Sequence, residues 1–190
     1  MLKKLFSGAA DFFVKALIYV FGLSGFGAKV NHRYKIECFE YEGGPLKWVK
    51  EFNNLVTTAG LNQYLDAALK TGLASPAWFV GLVTAKSGAY DAGDTMASHS
   101  GWTDGQPYSE GARQAWTPGT IASGSVSNTA SPAIFSINTS ATIYGAFMTD
   151  SSTLAGTSGT LLGVGDLGSA QSVNSGNSLQ ITIIASLEAA

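Results

Sequence analysis

The second half of this 190-residue chain carries no positive charge, and this feature limits what it can fold into. From Gln114 to Ala190 there is no lysine or arginine, and the only acidic residues are Asp150, Asp166 and Glu188. Surface helices normally expose glutamate and lysine, so this region must obtain its solubility from serine, threonine, asparagine and the backbone. Such a composition favours strands joined by turns over solvent-facing helices.

Short apolar segments separated by turn residues indicate a series of β-strands. The first two predicted strands, 33–41 and 46–52, form a hairpin around the turn residues 42–45. Further strands are predicted at 78–85, 133–137, 141–149, 160–164 and 178–187. Strands of this length and spacing are typical of a sandwich, so we predict an all-β fold, a jelly-roll-like β-sandwich with one short helix.

The short helix is predicted over 58–71, with Thr57 or Thr58 as its N-cap and Gly72 as its end. Its apolar positions at helical spacing are Leu61, Tyr64, Leu65, Ala68 and Leu69. This spacing predicts a helix that packs against strands. We predict a β-sandwich domain at 31–190, preceded by an N-terminal arm and linker at 1–30.

Residues 2–21 form a further apolar segment, with Lys3, Lys4, Asp11 and Lys15 within it. These charges leave too few apolar residues for a membrane-spanning helix, which needs about 20, and they interrupt a signal peptide. An amphipathic helix that docks on a partner, or that lies on a membrane surface, fits better, and we favour docking on a neighbouring subunit. The apolar residues predicted to make that contact are Leu2, Leu5, Phe6, Phe13, Leu17 and Val20.

Charge and cysteine content argue against several functions. The formal net charge of −2 does not favour a nucleic-acid partner. Cys38 is the single cysteine, which excludes a disulfide framework and a cysteine-based zinc site, and it is predicted to be a small core residue. The segment 163–168 matches Gly-x-Gly-x-x-Gly, but a turn rather than a helix is predicted after it, so we expect no dinucleotide and no other cofactor.

Residues 86–112 are predicted to form a long ordered loop. Asp91, Asp94, His99 and Asp104 could surround a cation, and with Glu110 the three aspartates are the candidate carboxylates of a glycan hydrolase. The alternative, which we favour, is that Asp91 and Asp94 cap turns while His99 packs against a tryptophan at position 102. The protein is therefore not expected to be an enzyme.

Aromatic residues concentrate beside this loop, together with one arginine. They are either ordinary core residues or interface anchors, because tryptophan, tyrosine and arginine are frequent in both settings. As candidate partner-docking residues in this region we select Trp102, Tyr108, Arg113 and Trp116.

Several motifs occur along the chain in a characteristic order. They include NLVTTAGLNQYLD (54–66), WFVGLV (78–83), DTMASHSGWTDGQPYS (94–109), YGAFM (144–148) and LLGVGDL (161–167). Together they resemble small virion structural proteins of tailed bacteriophages, over about residues 33–187. The resemblance implies a capsid decoration (cement) protein on the capsid exterior of the virion, which stabilises the shell by non-covalent contacts. The alternative is a tail or fibre structural protein or adaptor.

The partners that we expect follow from this resemblance and from the composition. The resemblance implies the major capsid protein. The low charge of 114–190 predicts exposed apolar surface and therefore self-association as a dimer or trimer. Neither nucleic acid nor a membrane is expected as a partner.

Overall fold

The computed structural model describes residues 28–70 and 75–189, which contain ten strands and one helix. The predicted N-terminal helix lies outside these residues. The chain divides into two compact units, Val30–Ser186 and a smaller one formed by Met1–Lys29 and Leu187–Ala190. Of the smaller unit only the first residues of the first strand and the last residues of the final strand are described. The domain boundary at residue 31 stays a prediction.

The strands follow one another along the chain, with the helix after the second. Their bounds are β1 (Ala28–Phe39), β2 (Leu46–Val56), β3 (Phe79–Lys86), β4 (Trp102–Gly105), β5 (Gln114–Ala115), β6 (Ser125–Ser127), β7 (Ala133–Ser136), β8 (Ala141–Thr149), β9 (Leu161–Val173) and β10 (Ser178–Ala189). Helix α1 spans Thr58–Leu69. The strand order is β4-β3-β8-β9-β2-β1-β10-β6, with β5 also on β3 and β7 also on β10.

Strand β2 connects two layers of strands. Its residues up to Asn53 pair antiparallel with β1, in the register that places Asn53 opposite Arg33. Its last residues, 54–56, pair antiparallel with β9 instead, where Asn54 lies opposite Gly165. One layer therefore contains β1, β10, β6 and β7, and the other contains β9, β8, β3 and the short β4 and β5.

The main core lies between these two layers. It is formed by alternate residues of the strands, because successive side chains of a strand point to opposite faces. Members include Tyr34, Ile36 and Cys38 of β1, Val80 and Leu82 of β3, Ile143 and Met148 of β8, and Leu179, Ile181 and Ile183 of β10. Cys38 is a buried core residue, as predicted.

A second core covers the outer face of the β3–β8–β9 layer. It consists of Val83, Met96, Trp102, Phe147, Leu161 and Val164. Met96 belongs to the connection between β3 and β4, which is tied down by backbone bonds from Ser87 and Gly88 to the carbonyl of Gly101, at 2.9 and 3.1 Å. The predicted long loop, residues 86–112, is therefore ordered and forms a third layer, which we call the loop layer.

The predicted all-β sandwich with one short helix is confirmed, whereas its jelly-roll form stays a prediction. Strand β9 is much longer than the predicted 160–164, because the glycine-rich segment 163–168 continues it. At Gly163 and Gly165 a Cβ would collide with the side chains of Asn54 and Phe52 of the neighbouring strand, so these glycines allow close packing within the sheet. Strands β4, β5 and β6 were not predicted, since two to four residues are too few for a recognisable alternation. Within 28–70 and 75–189, no helix is long and apolar enough to cross a membrane.

Candidate interaction site

The candidate docking residues of the central region lie largely inside the fold. Trp102, Tyr108 and Arg113 are buried, and Trp116 is partly buried. Their contacts, given below, are contacts within the chain, so the structure assigns them to packing. Their role in docking stays a prediction. The other six candidates lie outside the described residues, namely Leu2, Leu5, Phe6, Phe13, Leu17 and Val20.

Arg113 holds the connection between β8 and β9. Its guanidinium donates to the Asp104 carboxylate at 2.7 and 3.3 Å, to the carbonyl of Ser151 at 2.8 Å and to that of Gly156 at 3.3 Å. Its backbone N–H donates to the carbonyl of Ser152 at 2.9 Å. Burial raises the pKa of the Asp104 carboxyl, and the bonds and charge of Arg113 offset part of that effect. The pair thus ties partly buried backbone carbonyls of this connection to the end of β4.

Trp102 organises the loop layer. The ring of His99 stacks on it with centroids 3.9 Å apart, and the indole N–H donates to Asp94 at 2.9 Å. His99 Nδ1 donates to the carbonyl of Trp102 at 3.0 Å. Asp91 accepts from the N–H of Gly93 at 2.7 Å, and Asp94 accepts from that of Asp91 at 3.1 Å. The interpretation of these aspartates as turn caps, with His99 packed on a tryptophan, is confirmed.

The acidic residues of this region all bond to the chain itself. Asp104 pairs with Arg113, and Glu110 accepts from the backbone N–H of Ser136 at 3.0 and 3.2 Å. In the part of the chain that the structure describes, no three histidine, cysteine or acidic side chains come together as a group that could hold a metal.

The two remaining aromatic candidates also have partners in the chain. Tyr108 meets the ring of Phe135 edge-on, with centroids 4.9 Å apart, and its backbone forms a bridge with Ile137. The backbone N–H of Trp116 donates to the carbonyl of Trp78 at 2.8 Å, next to the main core.

An apolar surface does occur, on helix α1. Leu61, Leu65 and Leu69 lie one turn apart and are 43%, 56% and 78% exposed. We call these three residues the α1 leucine face. Three leucines spaced by four residues form a continuous stripe along one side of a helix.

The opposite side of α1 attaches the helix to the sandwich. The side chain of Thr57 caps the helix by accepting from the N–H of Gly60 at 3.0 Å, and it also donates to the carbonyl of Leu161. A Cβ at Gly60 would collide with the carbonyl oxygen of Leu162, so the absence of a side chain allows the helix to contact β9 directly.

A buried histidine makes the polar contact between α1 and β1. His32 Nδ1 accepts from the Asn54 amide at 3.0 Å, which requires the proton on Nε2, and Nε2 then donates to the Tyr64 hydroxyl at 2.6 Å. Burial lowers the pKa of His32 to about 4 and raises that of Tyr64 to about 12. The histidine is therefore neutral at pH 7.

The prediction that the apolar positions of this helix pack against the strands is wrong for most of these residues. Of the five apolar positions only Tyr64 is partly buried, whereas Gly60 and Thr57 are buried. The reason is that α1 approaches the strands through a glycine and a polar tyrosine contact, so its leucines point away. A glycine four residues before a tyrosine was the available signal, but hydrophobic periodicity gives glycine no weight.

The remaining large apolar residues that are exposed are spread over several elements. They are Tyr41, Leu46, Val49, Leu55, Ile121, Ile184 and Leu187. Single exposed apolar residues are normal on a protein surface. The α1 leucine face differs from them because its members share one side of one helix.

Comparison with known proteins identifies the class of protein to which this sandwich belongs. A family model described as "Podophage GP4 fiber I protein gp80" matches residues 55–187, from the end of β2 into β10. Because the match covers more than half of the chain, the chain belongs to this family of bacteriophage fibre proteins. No curated protein matches the chain.

This membership confirms the predicted class of phage virion structural protein, and with it the location in the virion. The family description names a fibre rather than a capsid decoration protein, so it agrees better with the alternative prediction than with the main one.

Proposed function

We propose that this protein is a structural subunit of a podophage tail or fibre, and that it acts by stoichiometric binding to other virion proteins rather than by catalysis. The observation that carries this proposal is the family match over 55–187, which includes α1, β3 to β9 and the loop layer. The second candidate function is capsid decoration, with the major capsid protein as the partner.

The packing of the domain supports a structural role. The β3–β8–β9 layer is covered on both faces, and the carboxylates of the loop region are bonded to the chain itself. Burial of apolar area stabilises a protein with little dependence on salt, unlike exposed ion pairs. Such a domain suits a particle that must persist outside the cell without disulfides.

We further propose that the partners are copies of this chain and a neighbouring virion protein. Self-association is supported by the exposed leucines of α1. Docking of the N-terminal segment on a neighbouring subunit is supported by its apolar positions alone. We propose no cofactor, nucleic acid or membrane as a partner.

Labelling of virions tests the location. Antibodies against this protein, viewed by electron microscopy of purified particles, are expected to mark the tail or its fibres. Quantitative mass spectrometry is expected to give a copy number far below that of the major capsid protein. Labels over the whole head, with a copy number similar to that of the capsid protein, would show that the protein decorates the shell.

A further inference from the structure

The α1 leucine face lacks a partner in the described part of the chain, although the rest of the helix is well attached. Exposure increases from Leu61 to Leu69, so the stripe becomes more open along the helix. The helix is anchored on its other side by Gly60 and Tyr64. The leucines are thus not required for docking α1 to its own sandwich, and they are presented on a fixed support.

The charges around this face decide which partner it suits. Asp66 forms an ion pair with Lys70 within the same helix, so their charges compensate each other. Elsewhere on the helix the polar side chains of Thr58, Asn62 and Gln63 are uncharged. A strongly charged partner would find no complementary charge here, whereas an identical face would meet apolar side chains without an uncompensated like charge.

We propose that the α1 leucine face is a self-association surface, on which the same face of a second copy of this chain packs. This deepens the proposed function, since it names the surface through which copies assemble. In a closed assembly Leu65, the middle leucine, lies beside its own counterpart, both in an antiparallel two-fold pair and in parallel helices around a three-fold axis. Leucines at this spacing pack as interdigitating ridges between helices.

Sedimentation of the full chain over a wide range of concentrations tests this surface. The wild type is expected to associate reversibly, and Leu65→Glu is expected to raise the dissociation constant at least tenfold, because it places a charge in an apolar contact. The matched control is Ile121→Glu, since Ile121 is 74% exposed but lies on a separate hairpin. This control should leave the dissociation constant unchanged.

Cysteine cross-linking provides a second measurement that does not weaken the contact. Under mild oxidation Leu65→Cys is expected to form covalent dimers at a concentration where Ile121→Cys does not. The native Cys38 is buried and does not compete. Circular dichroism of each variant checks that the domain is folded.

Two results would overturn the proposal. One is a wild type that remains monomeric at all concentrations, and the other is association that responds equally to the changes at Leu65 and Ile121. Neither result concerns the position of the protein in the virion, which the labelling experiment measures separately. Failure of this surface is therefore distinguishable from failure of the fibre assignment.

Discussion

The guanidinium of Arg113 lies 2.7 Å from the carboxylate of Asp104, and the arginine side chain is completely buried. This pair joins the end of β4 to the residue before β5, and Arg113 also binds three backbone carbonyls of the β8–β9 connection. Within that connection Ala155 adopts a positive φ of 49°. The pair therefore holds a strained turn against the edge of the sandwich.

Replacing Arg113 is expected to destabilise the domain strongly. Arg113→Met removes the partner of a buried carboxylate, and loss of one member of a buried ion pair costs about 3–5 kcal/mol. Chemical denaturation measures this loss. The control is Arg33→Met, because the pair of Arg33 with Glu51 is exposed on both sides and such pairs contribute about 0–1 kcal/mol. Equal effects of the two substitutions would contradict the structural role of Arg113.

The stability of the domain is expected to fall as the pH decreases from about 6.5 to about 4, through His32. Its folded pKa of about 4 lies below the ordinary value of 6.5, so between these values the unfolded chain binds more protons. The corresponding loss is roughly 3 kcal/mol, and no further loss from this group occurs below pH 4, where both states are protonated. Denaturation at a series of pH values measures the slope.

Substitution of His32 by glutamine is expected to remove this part of the pH dependence. Comparison with the wild type cancels the contributions of other groups. The second histidine provides the control, since His99→Gln leaves the contact between His32 and Tyr64 intact. A pH profile unchanged in His32→Gln would show that the buried histidine does not determine the acid sensitivity.

Gly60→Ala is expected to destabilise the protein, although alanine is normally about 1 kcal/mol better than glycine inside a helix. The added Cβ would collide with the carbonyl oxygen of Leu162, which is backbone and cannot move aside easily. We expect a loss of about 1–3 kcal/mol, as for overpacked cores. Faster hydrogen exchange in α1 would show that the helix has separated from β9.

The opposite substitution at an exposed position of α1 is the control for this prediction. Ala68→Gly is expected to cost about 1 kcal/mol through helix propensity alone. A gain of stability in Gly60→Ala would mean that the helix does not approach β9 as closely as described.

Ser123→Asn is expected to stabilise the turn that precedes β6. Ser123 and Gly124 have φ values of 49° and 71°, and Ala122 and Ser125 exchange backbone bonds of 2.9 Å across them. This is the arrangement of a two-residue type I′ turn, in which asparagine–glycine is preferred. We expect a gain of about 0.5 kcal/mol, of the size that compatible turn substitutions give. A thermal melting temperature lower than that of the wild type would contradict this turn assignment.

Local patterns in the sequence determined the strands, the helix and several turns. The predicted strand at 141–149 coincides with β8, and the helix predicted from residue 58 begins there. Alternation and helical periodicity involve only neighbouring residues, so they are readable without the fold. The turn caps at Asp91 and Asp94 were predictable for the same reason, since their acceptors and donors lie within three residues.

Only the tertiary structure decided which of these residues are buried. The leucines of α1 have the periodicity of a packing face, yet Gly60 and Tyr64 make the contact with the sandwich. Arg113 is of a residue type that is frequent in interfaces, yet it is enclosed by a loop that lies about 40 residues away along the chain. Burial depends on which distant segments of the chain come together in the fold. Local patterns involve only neighbouring residues, so they do not specify these contacts.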